Sequence, residues 1–166
     1  GHEVHLITSR LGDGYSKSVQ LHFLSSLLPQ HRKGSGYINS LLWVILVRRL
    51  ISRIKPDIID AHYITVNGYL GALSGFRPLV LTAWGSDVLI GLKESLCLRI
   101  LIRYALKRVE MVTCNSETAR MELVNFGVNP DRIEIIRQGI ETQKFSPRQD
   151  KGFKKRLGLQ GRPIAI

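Results

Sequence analysis

Cysteine is nearly absent from this sequence. Cys97 and Cys114 are the two found in 166 residues, each in an apolar stretch (LCLRIL and MVTCNS). Two isolated thiols build neither a disulfide framework nor a metal cage. They suit buried positions in a reducing, cytoplasmic setting. Long hydrophobic runs are missing as well. The longest strictly apolar stretch, Leu41 to Val47, falls far short of the ~20 residues a membrane-spanning helix needs. The expectation is a soluble or peripheral protein. No signal peptide is visible, although the first residue is Gly1 rather than Met, which leaves room for a removed leader. There is no Walker loop, no GxGxxG, no HExxH and no CxxC pair. GxSxG is absent too, which argues against a serine hydrolase.

Acidic residues are scarce: 13 stand against 24 Lys and Arg, a net charge of +11. Such an excess calls for a polyanionic partner or an anionic membrane surface. Nucleic acid is set aside, because the basic residues lack interleaved aromatics and no binding motif is present. Arg99, Arg103 and Lys107 recur at i, i+4 and i+8 on one helix face. Leu98 precedes them, and Ile100, Leu101, Ile102 and Leu106 lie between them. That face is either a solvated charged surface or one that meets anionic lipid headgroups. Arg48, Arg49, Arg53 and Lys55 form a second basic cluster.

What is present is an alternation of strands and helices. The pattern predicts strands over 3–9, 19–24, 57–61, 79–83, 110–114 and 132–137. Between them it predicts helices over 37–54, 66–74, 94–108 and from the Asn115-Ser116 cap to Phe126. Gly12-Asp13-Gly14 makes a turn, Pro56 stops the first helix, and Gly127 ends the last at C′. The expected class is α/β: a Rossmann-like open parallel sheet with helices on both faces. About one domain fits this length. Gln143 to Lys155, polar and containing Pro147, is expected to be a linker, and Arg162 to Ile166 opens a further strand. The predicted division is therefore 1–142 and 143–166.

In an open α/β sheet, ligands bind at the carboxyl ends of the strands. Three such ends carry polar or glycine-rich sequence: His62-Tyr63 with Asn67-Gly68, then Trp84-Gly85-Ser86-Asp87, then Asn115-Ser116. His62 fits a loop histidine satisfied by backbone, or a donor to a phosphate or sugar hydroxyl. Gly85 fits an ordinary turn, or a close approach of ligand to backbone. Asp87 either caps the following turn or hydrogen-bonds a sugar hydroxyl. Asn115-Ser116 is a helix cap that doubles as an anion site.

Several stretches together carry a family resemblance: GHEVHLIT, KPDIIDAHYITVNGYLGAL, PLVLTAWGSDVL, VTCNSETARMEL and GVNPDRIEIIRQGIETQKFSP. The chain resembles the amino-terminal domain of family 4 glycosyltransferases, retaining enzymes of two Rossmann-like domains (the GT-B architecture). The closing KKRLGLQGRPIAI is similar to the lead-in to the first strand of that family's donor domain. The resemblance implies an acceptor-side half that lacks its first strand and glycine-rich loop and is inactive alone. It implies a nucleotide-diphospho-sugar donor held mainly by the other domain, typically with no required metal. The implied partners are that carboxy-terminal domain and a glycan or lipid-linked acceptor, in polysaccharide or glycolipid synthesis; the basic helices add the expectation of a membrane surface, at its inner face.

By the same resemblance His62 and Gly68 line the inter-domain cleft; Asn67, Asn115 and Ser116 are substrate-binding candidates from their places at the strand ends. Gly85, Ser86 and Asp87 face the transferred sugar, and Asp87 carries the catalytic role. Its replacement by alanine is expected to lower transfer while leaving the domain folded. Trp84 stands where the family usually has histidine, and an indole can stack on a sugar ring or lipid-linked acceptor instead. Gln138-Gly139-Ile140-Glu141 stands for the more usual Asn-Gly-Ile-Asp. Two other readings compete: a non-catalytic module that binds a polyanion or partner, and a sugar-nucleotide epimerase of the same architecture.

Overall fold

The computed structural model describes residues 1–8, 15–24, 36–89, 96–146 and 151–159. The chain runs β1 (Val4–Thr8), β2 (Val19–Phe23), α1 (Gly36–Ile54), β3 (Ile59–His62), α2 (Val66–Ser74) and β4 (Leu79–Thr82). It continues through α3 (Ser86–Leu89), α4 (Leu96–Arg108), β5 (Met111–Cys114), α5 (Glu117–Asn125), β6 (Ile133–Ile135) and α6 (Lys151–Arg156). All pairings are parallel. β1 pairs β2, and a second sheet runs β3-β4-β5-β6. The expected α/β class with parallel strands is what the chain forms. The predicted Gly12-Asp13-Gly14 turn, Glu94, Pro147 and the strand from Arg162 to Ile166 lie outside the described residues. Within the stretch expected as a linker, Lys151–Arg156 is helical.

Strand order in the larger sheet advances one way, so right-handed crossovers put α2, α4 and α5 on a single face. Burial agrees. Leu79 and Leu81 are buried beneath α2, while Val80 and Thr82, one residue out of phase, are half-buried on the other face. α2 approaches closely through two glycines. A Cβ on Gly71 would meet Leu79 Cδ1 at 3.2 Å, and one on Gly68 would meet Leu81 at 3.5 Å. The core gathers Ile64, Leu81, Val88, Ile102, Val109, Val112 and Leu123 from both sides of the site-bearing loops. A second cluster packs Val47 and Ile51 of α1 with Leu24, Ile7 and Ile59, so α1 bridges the two sheets.

Local sequence explains the helix ends. Ser116 Oγ accepts from Ala119 N at 3.3 Å, an N-cap. At the other end of α5, Gly127 (φ +101) donates to Val124 O and Val128 to Leu123 O, the paired bonds of a Schellman motif. Leu123 and Val128 both enter the core, supplying the hydrophobic contact that accompanies it. On the small sheet, His5 Nδ1 lies 2.9 Å from His22 Nε2, and His5 Nε2 lies 3.2 Å from Glu3 Oε1. Burial, then the neighbouring His5, pushes the His22 pKa down.

The amino-terminal ends of β4 and β5 are tied by Glu110. Its Oε2 accepts from Leu79 N at 2.6 Å and its Oε1 pairs with Arg77 Nε at 2.7 Å. The Leu79 hydrogen bond and the Arg77 charge hold this carboxyl below the ordinary glutamate value of 4.5, against some desolvation. A lowered folded pKa adds stability above the unfolded value and loses it as pH falls through the folded one. Glu110→Gln should therefore flatten the fall in stability below about pH 4.5, read from urea midpoints at stepped pH. An acid profile identical to that of the unsubstituted chain would count against it.

Candidate functional site

The carboxyl ends of β3 and β4 are joined by one buried carboxylate. Asp87 is 4% exposed. Its Oδ2 accepts from Ile64 N at 2.9 Å, and its Oδ1 accepts from Trp84 N at 3.0 Å and Val88 N at 3.1 Å. These donors belong to the loop after β3, the loop after β4 and α3. Gly85 makes the turn possible: its φ is +102 and its carbonyl accepts from Val88 and Leu89. A Cβ there would find nothing within 4 Å, so the backbone lies open on its outer side. Ser86 starts α3 and is exposed.

Above this clamp a chain of hydrogen bonds crosses three strands. Thr113 Oγ1 donates to Thr82 Oγ1 (2.8 Å), and Thr82 Oγ1 donates to Asp60 Oδ1 (2.8 Å). From the other end, Trp84 Nε1 donates to His62 Nδ1 (3.1 Å), and His62 Nε2 lies 3.3 Å from Asp60 Oδ2. An indole N–H can only donate. His62 Nδ1 must therefore be the acceptor, which places the ring proton on Nε2, towards Asp60. The Asp60 carboxylate collects both arms and fixes the imidazole tautomer and plane.

Aromatic surface flanks this chain. Tyr63 and Trp84 lie nearly parallel, 13° between planes and 6.2 Å between centroids. They are 44% and 40% exposed. Tyr63 takes a left-handed φ of +73, costly for a bulky residue. Bonds on both sides hold it there: Tyr63 N donates to Thr82 O and its carbonyl accepts from Gly68 N. Asn67 Nδ2 donates to His62 O at 2.7 Å, closing the same loop.

The structure thus brings His62, Asn67, Trp84, Gly85, Ser86 and Asp87 to one edge, with Asn115 and Ser116 one strand over. Gly68 is buried against Leu81 and Tyr63 O, a packing position. Arg99, Arg103 and Lys107 lie apart from this edge along α4. Arg99 and Arg103 place their guanidinium groups 6.0 and 5.1 Å from the Phe126 ring centroid. The helix stripe they share also shows Leu96 and Ile100, 76% and 68% exposed. Two cavities of about 400 Å³ lie elsewhere, one lined by Arg48, Lys55 and Phe76, the other by Arg103, Lys107 and Arg132. The strand-end cluster is an open wall, not a hole. Sequence reasoning did not assign Asp60, Thr82 and Thr113, nor the aromatic Tyr63. Its place directly after His62, at a strand end, was the available signal.

Parallel sheets flanked by helices, with polar residues at the strand ends, define a Rossmann-like α/β domain. The chain belongs to Glycosyltransferase Family 4, whose model matches residues 1–144. Crystal structures of HepE from Anabaena share the fold. The UDP complex superposes with a TM-score of 0.60 at 18% identity, over 84% of this chain and 36% of HepE. The UDP-glucose complex gives 0.61 at 18%, over 85% and 37%. The UDP co-structure of MnaA from S. aureus is more distant, at 0.48 and 15% over 72% of this chain. The chain spans a little over a third of HepE's length. No curated protein matches it by sequence.

Proposed function

We propose that the chain is the acceptor-side wall of a retaining glycosyltransferase. That enzyme moves a sugar from a nucleotide-diphospho-sugar to a glycan or lipid-linked acceptor, in polysaccharide or glycolipid synthesis. The observation that carries the reading is the joined ends of β3 and β4, where His62, Trp84 and Gly85 are assembled over the Asp87 clamp in a Family 4 chain. The solved HepE complexes with UDP and UDP-glucose favour a uridine nucleotide sugar as the first donor to try. In this reading residues 1–142 form the acceptor-side domain and 143–166 lead into the donor domain. His62 and the open Gly85 backbone meet the acceptor and the transferred sugar. Asp87, with both oxygens on backbone N–H groups, acts by holding those loops in place.

The test is release of nucleoside diphosphate by the full-length protein, offered UDP-glucose and related donors with candidate acceptors, and the anomeric configuration of the product. Release that never depends on an acceptor would exclude transfer. Interconversion of sugar nucleotides without acceptor would assign an epimerase.

The exposed Leu96 and Ile100 beside Arg103 and Lys107 support peripheral binding to an anionic bilayer. Among the described residues no helix is long and apolar enough to cross one. Each basic residue near such a surface contributes about 1 kcal/mol. Arg103→Glu with Lys107→Glu should then cut co-sedimentation with anionic vesicles at least tenfold. Equal binding to neutral vesicles at low salt would remove the electrostatic case.

A further inference from the structure

We infer that Tyr63 and Trp84 together form a stacking platform for one pyranose ring of the acceptor. The inference rests on the transferase reading for the word acceptor, but the platform itself rests on geometry. Two aromatic rings within 13° of parallel, each about two-fifths exposed, stand at the strand-end edge. Both are held before any ligand arrives. The indole is fixed by its bond to His62, and Tyr63 by backbone bonds on either side of a strained residue. Strain of this kind persists where the surroundings over-determine it, and it gathers at ligand contacts. Rigid aromatic surface also binds at low entropic cost.

The chemistry of the rim selects the occupant. A pyranose carries axial C–H groups on one face, which suit the electron-rich face of an aromatic ring. Its equatorial hydroxyls spread in the ring plane, where Asp60 and His62, both about half exposed, can receive them. An alkyl chain on the same rings would bury that polar rim without partners, which is costly. A nucleobase would stack equally well, but it brings phosphate. The Asp60 carboxylate stands next to the platform, 46% exposed, and a phosphate brought there would meet a like charge. A neutral sugar ring is the ligand that satisfies both surfaces.

Saturation-transfer NMR on the full-length protein tests this with methyl β-glucopyranoside, methyl β-galactopyranoside, glucitol and UMP as probes. Saturation should reach the axial ring hydrogens of a pyranoside and fall away in Trp84→Ala and in Tyr63→Ala. Trp84→Phe and Tyr63→Phe, which keep a ring, should retain it. Glucitol, which has the hydroxyls without the ring, should give little. In transfer assays each alanine variant should raise the acceptor KM about tenfold, with donor KM nearly unchanged. Circular dichroism and thermal unfolding confirm that each variant is folded.

Unchanged pyranoside signals in the folded alanine variants would overturn the platform, as would a Trp84-dependent signal from UMP or from an alkyl glycoside's chain alone. The two readings fail separately. If pyranoside signals depend on Tyr63 and Trp84 while no donor supports transfer, the platform stands and the transferase falls. If transfer occurs with an acceptor KM insensitive to both residues, the platform falls and the transferase stands.

Discussion

Asp87→Ala should unfold roughly 10 °C below the unsubstituted chain in thermal denaturation. The carboxylate accepts three backbone N–H groups. Val88 N keeps a second partner in Gly85 O, so the loss falls on Ile64 N and Trp84 N. Ile64 is fully buried, and each buried donor left unpaired costs about 1–3 kcal/mol. Trp84 N is only partly buried and falls at the low end of that range, so the two together cost about 3–4 kcal/mol, and about 2–4 °C of midpoint per kcal/mol is usual for a chain of this size. Asp87→Asn keeps a carbonyl oxygen for one side of the clamp and should lose about half as much. An alanine variant within about 2 °C of the parent would mean the two loops are held by something other than this carboxylate. The sequence alone suggested that alanine would lower transfer while leaving the domain folded. The three bonds tie the two losses together, and Asn is the variant that begins to separate them.

Gly71→Leu should be about as damaging, by a different route. A Cβ at this position already comes within 3.2 Å of Leu79 Cδ1 and 3.5 Å of Ala61 Cβ. Leu79 is 1% exposed in the middle of the core, so it has little room to move aside. Overpacking a filled core costs typically 1–3 kcal/mol, sometimes more. The larger side chain pushes α2 off β4 and carries the loop from His62 to Thr65 with it. Leu79→Ala leaves a cavity on its own, worth about 2–5 kcal/mol, but combined with Gly71→Leu that space is refilled. The double variant should therefore be more stable than additivity predicts by at least about 1 kcal/mol, measured as a cycle in urea. Additive losses would place the clash somewhere other than the α2–β4 contact.

The strands and most helix ends could be read in the sequence because local pattern and tertiary role agree there. Leu79 to Thr82 is a short apolar run, as a strand of a covered parallel sheet requires, and Asn115-Ser116 with Gly127 brackets α5 through its cap and Schellman bonds. Boundaries moved where the partner decides them. The strand expected at 57–61 is observed at Ile59–His62. Its neighbour offers Pro78, which has no N–H, and the ladder starts where Ile59 N reaches Pro78 O. The single turn α3 was missed because four residues carry no periodicity. It exists because Gly85 O accepts twice and Asp87 caps it from within.

The site was legible as positions but not as roles. His62, Trp84, Gly85 and Asp87 were all picked out from strand ends. That Asp87 faces inward, that Gly68 is a packing residue and that Tyr63 joins Trp84 are consequences of backbone geometry. A left-handed tyrosine followed by a helix cannot be read from the letters His-Tyr-Ile-Thr.

The clamp at Asp87 grips position 84 by its backbone N–H and not by its side chain. The peptide group is common to every residue except proline, so the anchoring is indifferent to which side chain stands there. Selection can then vary the ring presented to the ligand without renegotiating the fold beneath it. On the proposed transferase reading, natural variation in acceptor preference should accumulate at 63 and 84, over an aspartate and a glycine that stay put. For an engineer, the same separation makes these two positions the place to begin a saturation library.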